Sequence, residues 1–251
     1  AGSEIAADLA ALGAMVVGFD PADVADVAGV RRVSDPVSAV AGVDLVLAVT
    51  AAVDADTALC QALDEIPASA VYADLSTASP ERKRELAALA AERGLAFVDV
   101  ALMSTVPGNG LGTPALAAGS GAERYALLLA PARAPIEVVG AEAGHAAARK
   151  LLRSVVLKGL AGLVIEAMRG ANAAGLGQET WSNLVEQFTS MDEAFLRRLV
   201  VGTEPHAVRR LHEMQAAEEL LVSLGVEPLL TPGTIENLRQ VPEHGLPDLP
   251  A

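Results

Sequence analysis

Apolar residues in the first half of the chain come in short runs, separated by stretches that repeat at helical spacing. The runs are Met15–Phe19, Asp44–Thr50, Val71–Asp74, Leu95–Asp99, Tyr125–Leu129 and Ile136–Val139, each short enough to be a buried strand. Helical patterns cover Ala1–Ala10, Asp54–Asp64 and Pro80–Arg93. The last has proline in its first turn and Gly94 just past its end, the usual start and stop signals. Strands alternating with helices predict right-handed crossovers and a mainly parallel sheet, with ligands bound at the carboxyl ends of the strands.

The pattern changes at Gly144. From there to about Gly170 the chain reads as one long helix, and helices follow over Glu179–Leu199, His206–Leu224 and Thr234–Gln240. No strand-like run remains. The expected organisation is an α/β domain over residues 1–143 and an all-α domain over residues 144–251.

Composition narrows the function. At 251 residues and 52% hydrophobic the chain can bury a sizeable core, but aromatics at 3% offer little for base stacking. A net charge of −14 opposes binding to a phosphate backbone, so no nucleic-acid partner is expected. The acidity itself reads as a solvated surface. A dinucleotide remains admissible, because the N–H groups at a helix N-terminus hold phosphate locally. Cys60 is the single cysteine, which excludes an intrachain disulfide and a cysteine-based metal site and fits a reducing cytoplasm, the expected location. No signal peptide is expected, since no basic segment precedes an apolar stretch at the N-terminus. The longest uncharged run, Val100–Ala122, is broken by Pro107, Pro114 and glycines, so no membrane span is expected.

Five constellations carry candidate chemistry. The first is the opening: Gly2 begins a helix, the helix leads to a strand, and Asp20 closes the strand about twenty residues past the glycine. This is the back half of a Rossmann-type dinucleotide unit, with Gly2 near the pyrophosphate and Asp20 on the adenosine ribose. The strand and glycines that normally open such a unit would precede Gly2, so the first strand is expected to be missing. An acid at position 20 repels a 2′-phosphate and favours NAD, while Arg31 and Arg32 downstream keep NADP open. Thr50, at the end of the next run, joins the cofactor set. The second is Asp74–Pro80, where Ser76 and Thr77 stand at a strand end and can bond a nicotinamide carboxamide or its sugar, and Ser79 caps the following helix.

The third is the loop after Asp99, where Met103, Ser104 and Thr105 lead into a glycine-rich stretch whose amides can wrap a substrate carboxylate; an ordinary surface loop is the alternative. The fourth is Lys150, Ser154 and Lys158, four apart and so on one side of a helix. Lys158 lies in an apolar stretch, where desolvation and a second cation would lower its pKa into the range of a general acid or base. A lysine snorkelling to solvent is the alternative. Gly159 beside it points to close packing or a ligand. The fifth is His206–Met214, in which Arg209 or Arg210 can reach a carboxylate with support from Glu213, or form an exposed salt-bridged face. Two arginines and the lack of a third ligand argue against a metal there.

Together these motifs resemble the β-hydroxyacid dehydrogenases, the group containing 3-hydroxyisobutyrate and 6-phosphogluconate dehydrogenases. The resemblance is nearest to the NAD-binding phosphogluconate-dehydrogenase-like branch with its own C-terminal domain. It implies hydride transfer between NAD or NADP and a small hydroxy or keto acid, with a lysine protonating or deprotonating the reacting oxygen. It also implies a helical second domain and a homodimer. The family's K-x-x-N-N motif falls on Lys150–Ser154, with Arg153 and Ser154 in place of the asparagines. The substrate loop, usually D-x-P-V-S-G-G, has Ala101 for proline and Met103 for serine. These departures imply a different substrate and leave Lys150 and Lys158 both as catalytic candidates. An imine reductase on the same scaffold, or a dinucleotide-binding module without catalysis, are the competing functions.

Overall fold

The computed structural model describes residues 1–250 and divides into two compact units, Ala1–Ser154 and Val155–Ala251. The division falls inside a helix, later than the change of sequence pattern at Gly144. That helix starts at the change of pattern but belongs to both units.

The first unit holds α1 (Gly2–Ala11), β1 (Val16–Gly18), β2 (Val30–Arg32), α2 (Pro36–Val40), β3 (Leu45–Ala48), α3 (Ala55–Ala62) and β4 (Val71–Asp74). It continues through α4 (Pro80–Ala91), β5 (Ala96–Leu102), β6 (Ala115–Ala118), α5 (Ala122–Leu129), β7 (Ile136–Gly140) and the first part of α6 (His145–Ala173). Strands β3 to β7 form one sheet in chain order, and β1 pairs with β2 in a separate parallel ladder. All pairings are parallel except β5 with β6.

Alternate residues of the central strands enter two cores. Tyr72 and Phe97 stack at 6.0 Å between their ring centres and pack with Leu59 of α3 and Leu86 of α4. Val71, Ala73, Val98 and Val100 face Ile5 of α1 and Tyr125 of α5. Strands buried on both faces are what a helix-covered parallel sheet requires.

Three elements differ from the sequence reading. Tyr125–Leu129 is the end of helix α5, not a strand. Its buried residues Ala122, Tyr125 and Leu129 follow helical spacing, while Leu127 is exposed. Strands β2 and β6 went unread, the first because Arg31 and Arg32 break its apolar character, the second because alanine dominates it. The helix expected over Glu179–Leu199 is two helices, broken where Asp192 caps the second by accepting the Phe195 amide at 2.7 Å.

The second unit is helical: the rest of α6, then α7 (Gly177–Thr189), α8 (Glu193–Val201), α9 (Ala207–Ser223) and α10 (Thr231–His244). Among its described residues the buried apolar side chains are Ala207, Leu221 and Ile235. At its centre Glu166 of α6, 6% exposed, caps α10. Its carboxylate accepts the amides of Leu229, Leu230 (2.8 Å) and Thr231 (2.9 Å) and the Thr231 hydroxyl (2.6 Å). No helix among the described residues is long and apolar enough to cross a membrane.

Burial works to raise the Glu166 pKa, but the hydrogen bonds from Thr231, Leu230 and Leu229 outweigh it and hold the carboxyl below the usual range. A depressed folded-state pKa adds stability that is complete above the ordinary value of 4.5 and is lost as pH falls through the folded value. Glu166→Gln is therefore expected to cost about 1–3 kcal/mol at pH 7 and to flatten the acid limb of stability below pH 4.5. Urea melts followed by circular dichroism from pH 7 to 3 check this; parallel acid limbs in both proteins would contradict it.

Candidate active site

The geometry of the site begins with an electrostatic conflict. Asp74 ends β4 and pairs in register with Asp99 of β5, so two carboxylates stand side by side on one face of the sheet. Both are buried, at 1% and 0% exposure. Like charges opposite each other on neighbouring strands are unfavourable, and an ion held in the interior without a partner costs several kcal/mol.

Lys83 of α4 resolves the conflict. It lies in the charged run Glu81-Arg82-Lys83-Arg84-Glu85, yet it alone of these is fully buried, at 1% exposure. Its Nζ lies 2.9 Å from Asp74 Oδ2 and 3.3 Å from Asp99 Oδ1, and it donates to the Asp74 main-chain carbonyl at 2.8 Å. Asp99 Oδ1 makes no aligned hydrogen bond, and the ammonium at 3.3 Å balances its charge. The second carboxylate is offset by backbone. Asp99 Oδ2 accepts the amides of Gly144 (3.0 Å) and Ala147 (2.9 Å) at the start of α6, where the helix dipole is positive. Asp74 accepts both the amide (3.0 Å) and the hydroxyl (2.9 Å) of Ser76.

Gly144 makes this docking possible. Its φ is +96°, and a Cβ there would stand 2.7 Å from the Pro80 carbonyl oxygen at the start of α4. Helix α6 thus begins against both β5 and α4, and Lys150 follows one turn after Ala147. Lys150 Nζ donates to Thr77 Oγ1 at 3.0 Å. The crevice around it is walled by Ser76–Ala78, Asp99–Ala101, Ala147 and Leu151. Three residues on, Arg153 Nη1 donates to the Met103 carbonyl at 2.9 Å and so holds the first residue of the loop after β5.

That loop is held from its other side by α1. Glu4 accepts the Gly108 amide at 3.0 Å and Asp8 the Leu111 amide at 2.8 Å. The amides of Asn109, Gly110, Gly112 and Thr113 bond carbonyls within the loop. Every amide from 108 to 113 is therefore committed, and this stretch does not form the carboxylate cradle read from its glycines. Ser104 and Thr105 stay exposed before it, and Met103 is half-buried.

The cofactor candidates fall at strand ends of the same unit. Asp20 follows β1 in an open depression of about 400 Å³ between residues 19–23 and Arg32–Ser34. Its Oδ1 accepts the Ala22 amide at 2.9 Å. Arg32 donates to the carbonyls of Val24 and Ala22, the latter at 2.8 Å, and stands 4.0 and 3.9 Å from Asp23 and Asp26. Thr50 lies just past β3, and its hydroxyl is enclosed without a hydrogen-bond partner. A Cβ at Gly2 would meet Val49 at an ordinary 3.8 Å, so helix–strand packing does not itself demand glycine. Ser76 is committed to Asp74, whereas the Thr77 hydroxyl, as acceptor from Lys150, retains its proton for donation.

Of the remaining candidates, Ser154 lies in the first unit and Lys158, Arg209 and Arg210 lie in the second. Lys158 is exposed, as are its neighbours Val155, Val156 and Leu157. Nothing lies within 4 Å of a Cβ placed at Gly159. Ser154 is half-buried at the end of the first unit. In the second unit Arg209 pairs with Glu213 at 3.1 Å on an exposed helix face, and Arg210 bonds the Leu199 carbonyl (3.2 Å) and the Thr203 hydroxyl, tying α9 to α8. Sequence reasoning passed over Lys83, Glu4 and Asp8, and gave Asp99 and Arg153 no contact in the site. A signal existed for Lys83: with Leu86 and Ala90 it occupies the inward face of α4. Among the described residues no group of three or more histidine, cysteine or acidic side chains could hold a metal ion.

Residues 1–131 match the family described as the NAD binding domain of 6-phosphogluconate dehydrogenase, just over half of the chain. The chain belongs to this family. Residues 171–241 match a second one, described as a domain of unknown function, DUF1932. An uncharacterized 28.5 kDa protein in the 7S RNA 5′ region of Methanothermus fervidus is 27% identical over 173 residues, 69% of this chain. The match spans 66% of that relative, slightly under two thirds of its length. A solved conserved protein of unknown function, described as structurally similar to 3-hydroxyacid dehydrogenases, is 26% identical, with a TM-score of 0.61 over 95% of this chain and 92% of its own. An imine reductase from Myxococcus stipitatus, solved with NADP+, shares the fold at 19% identity and a TM-score of 0.78, over 97% and 91% of the two chains.

The family is one of NAD-binding domains, and the buried Thr50 hydroxyl, without a hydrogen-bond partner, is the polar group whose part in cofactor binding can be tested directly. Thr50→Val is expected to leave stability unchanged or slightly higher while weakening NADH or NADPH binding about 5- to 10-fold. Nicotinamide fluorescence titration checks this, and equal affinities in the two proteins would remove Thr50 from the site.

Proposed function

We propose that the protein is an oxidoreductase that moves a hydride between NAD(P) and a small carboxylate-bearing hydroxy or keto compound, with Lys150 as general acid and base. The observation that carries this reading is the Lys150–Thr77 hydrogen bond in a crevice at the carboxyl ends of β4 and β5. A bound nicotinamide supplies the hydride acceptor or donor. Lys150 takes the proton of the substrate hydroxyl as that carbon is oxidised, and returns it to the carbonyl oxygen in the reverse direction. Lys150 enters the oxidation as the neutral amine and leaves it as the ammonium, and Thr77 holds Nζ in place.

With the amides of 108–113 committed, side chains at the start of the loop and on α6 are proposed to recognise the carboxylate. Arg153 is on the helix of Lys150, three residues on, and uses one donor on Met103, which leaves others of its five for an anion. Ser104, Thr105 and Ser154 complete the proposed substrate set. Arg209 and Arg210, engaged within the second unit, give up that role to Arg153. The same loop geometry keeps a neutral imine as the second reading, since an imine needs no carboxylate cradle. NAD is the expected cofactor, because Asp20 opposes a 2′-phosphate and Arg32 is occupied by the carbonyls and acids of its own loop.

The test is NADH and NADPH titration, then turnover of β-hydroxy acids, their methyl esters and cyclic imines. The expected result is tighter NADH binding, oxidation of acids over esters, and loss of about 10³-fold or more in kcat for Lys150→Ala. Arg153→Gln is expected to erase the acid-over-ester preference. Undiminished turnover by Lys150→Ala sinks the acid–base assignment, and turnover of imines alone selects the second reading.

The helical unit is proposed as the dimer contact. Trp181, Val185 and Phe188 form an apolar stripe along one face of α7 and are 50%, 46% and 38% exposed, in a unit with few buried apolar side chains. A second copy brings an equal stripe. Light scattering is expected to give twice the monomer mass, with a melting temperature that rises with concentration. Trp181→Glu should yield monomers, and a monomeric wild-type chain would refute the pairing.

A further inference from the structure

We propose that the buried cluster of Lys83, Asp74 and Asp99 is a positioning device for Lys150, with Lys83 joining the two segments whose side chains meet in the Lys150–Thr77 hydrogen bond. This rests on the reading of Lys150 as acid and base.

Each carboxylate of the cluster has a task on either side of that bond. Asp99 Oδ2 holds the Gly144 and Ala147 amides, so it sets where α6 begins. Lys150 is one helical turn further, on a rigid element that transmits that placement. Asp74 holds Ser76 by both amide and hydroxyl, and Thr77 is the next residue. Lys83 bonds the Asp74 carboxylate and carbonyl and faces Asp99, so one ammonium links the strand end carrying Thr77 to the cap of the helix carrying Lys150. Apolar side chains of similar volume usually serve stability as well as a buried ion pair does, or better. They cannot hold a loop amide and a helix terminus at once. Displacement of a reacting group by about 1 Å can cost two orders of magnitude in rate, so this placement bears directly on turnover.

The chain has three lysines, Lys83, Lys150 and Lys158, which makes a chemical test clean. Reductive methylation with formaldehyde and cyanoborohydride, read by peptide mass spectrometry, reports Lys150 against exposed Lys158 as internal control. Two variants are compared with the wild type on the full chain. Asp99→Asn keeps an acceptor for α6 but removes one charge. The triple change Asp74→Asn, Lys83→Met, Asp99→Asn removes all the buried charge together, so no lone ion is left to unfold the protein.

The expected result has three parts: cooperative melting, a Lys150 to Lys158 methylation ratio raised at least about threefold, and kcat lowered at least about tenfold with the substrate KM nearly unchanged. Wild-type kcat in a folded variant overturns the proposal whatever the ratio does, as does a wild-type ratio. Failure of both variants to fold also counts against it, because the cluster is then a requirement of folding. Lys150→Ala separates the two claims. If it is fully active, the acid–base reading falls and this one with it. If it is inactive while the cluster variants turn over normally, only the positioning role is lost.

Discussion

Two carboxylates side by side on adjacent buried strands form the constraint around which the first unit is arranged. Asp74 and Asp99, buried side by side, need compensation, and one lysine carries charge for only one of them. The remaining compensation comes from backbone amides, and those amides lie in the two segments that carry Thr77 and Lys150. One set begins the loop that carries Thr77, and the other begins helix α6. Electrostatic necessity at the strand ends thus becomes geometric definition at the crevice. Gly144 is part of the same solution, since only a residue without Cβ lets the helix start close enough to the Pro80 carbonyl.

The device recurs. Glu166 caps α10 from α6, as Asp99 caps α6 from β5, and Glu4 and Asp8 of α1 hold amides of the loop after β5. A net charge of −14 therefore does more than solvate a surface. Part of the acid content is spent internally, wherever backbone amides emerge without a carbonyl to meet them. A carboxylate is suited to this, because it accepts two or more amides at once and complements the positive end of a helix. One consequence is that the acidic residues most important to this fold are among the least exposed.

How much of this was legible in the sequence depended on whether the signal was periodic or environmental. Helix α4 was readable to within two residues because Pro80 and Gly94 bound it, and Lys150 stood out through its helical spacing and motif. The α/β domain followed by helices was legible for the same reason. Tyr125–Leu129 failed because five apolar residues fit a strand as well as a helix, and only the partnership with Ala122 decides. Lys83 was hidden because a pattern of apolar and polar positions counts lysine as outward-facing, while its inward position is visible only beside Leu86 and Ala90. Lys150 and Lys158 share one helix face in sequence, and the contact of Lys150 with Thr77 becomes visible only in the structure. The loop after Asp99 stayed ambiguous in the same way: its glycines advertise amides, and the acids of α1 that accept two of them lie a hundred residues away.

That loop sets how the site can discriminate between substrates. A glycine-rich loop with open amides recognises anions through its backbone and changes slowly, because every amide depends on the local fold. Here the amides from Gly108 to Thr113 are taken, so discrimination on the proposed reading passes to side chains at its edge: Met103, Ser104, Thr105, Arg153 and Ser154. Side chains can be exchanged without moving the backbone, and Arg153 and Ser154 stand where the family's motif has paired asparagines. The pinned loop and the capped helix keep Lys150 and Thr77 in place while those edge residues vary. A scaffold divided in this way can keep its proton chemistry and change its substrate, which agrees with one fold being shared by hydroxyacid dehydrogenases and imine reductases.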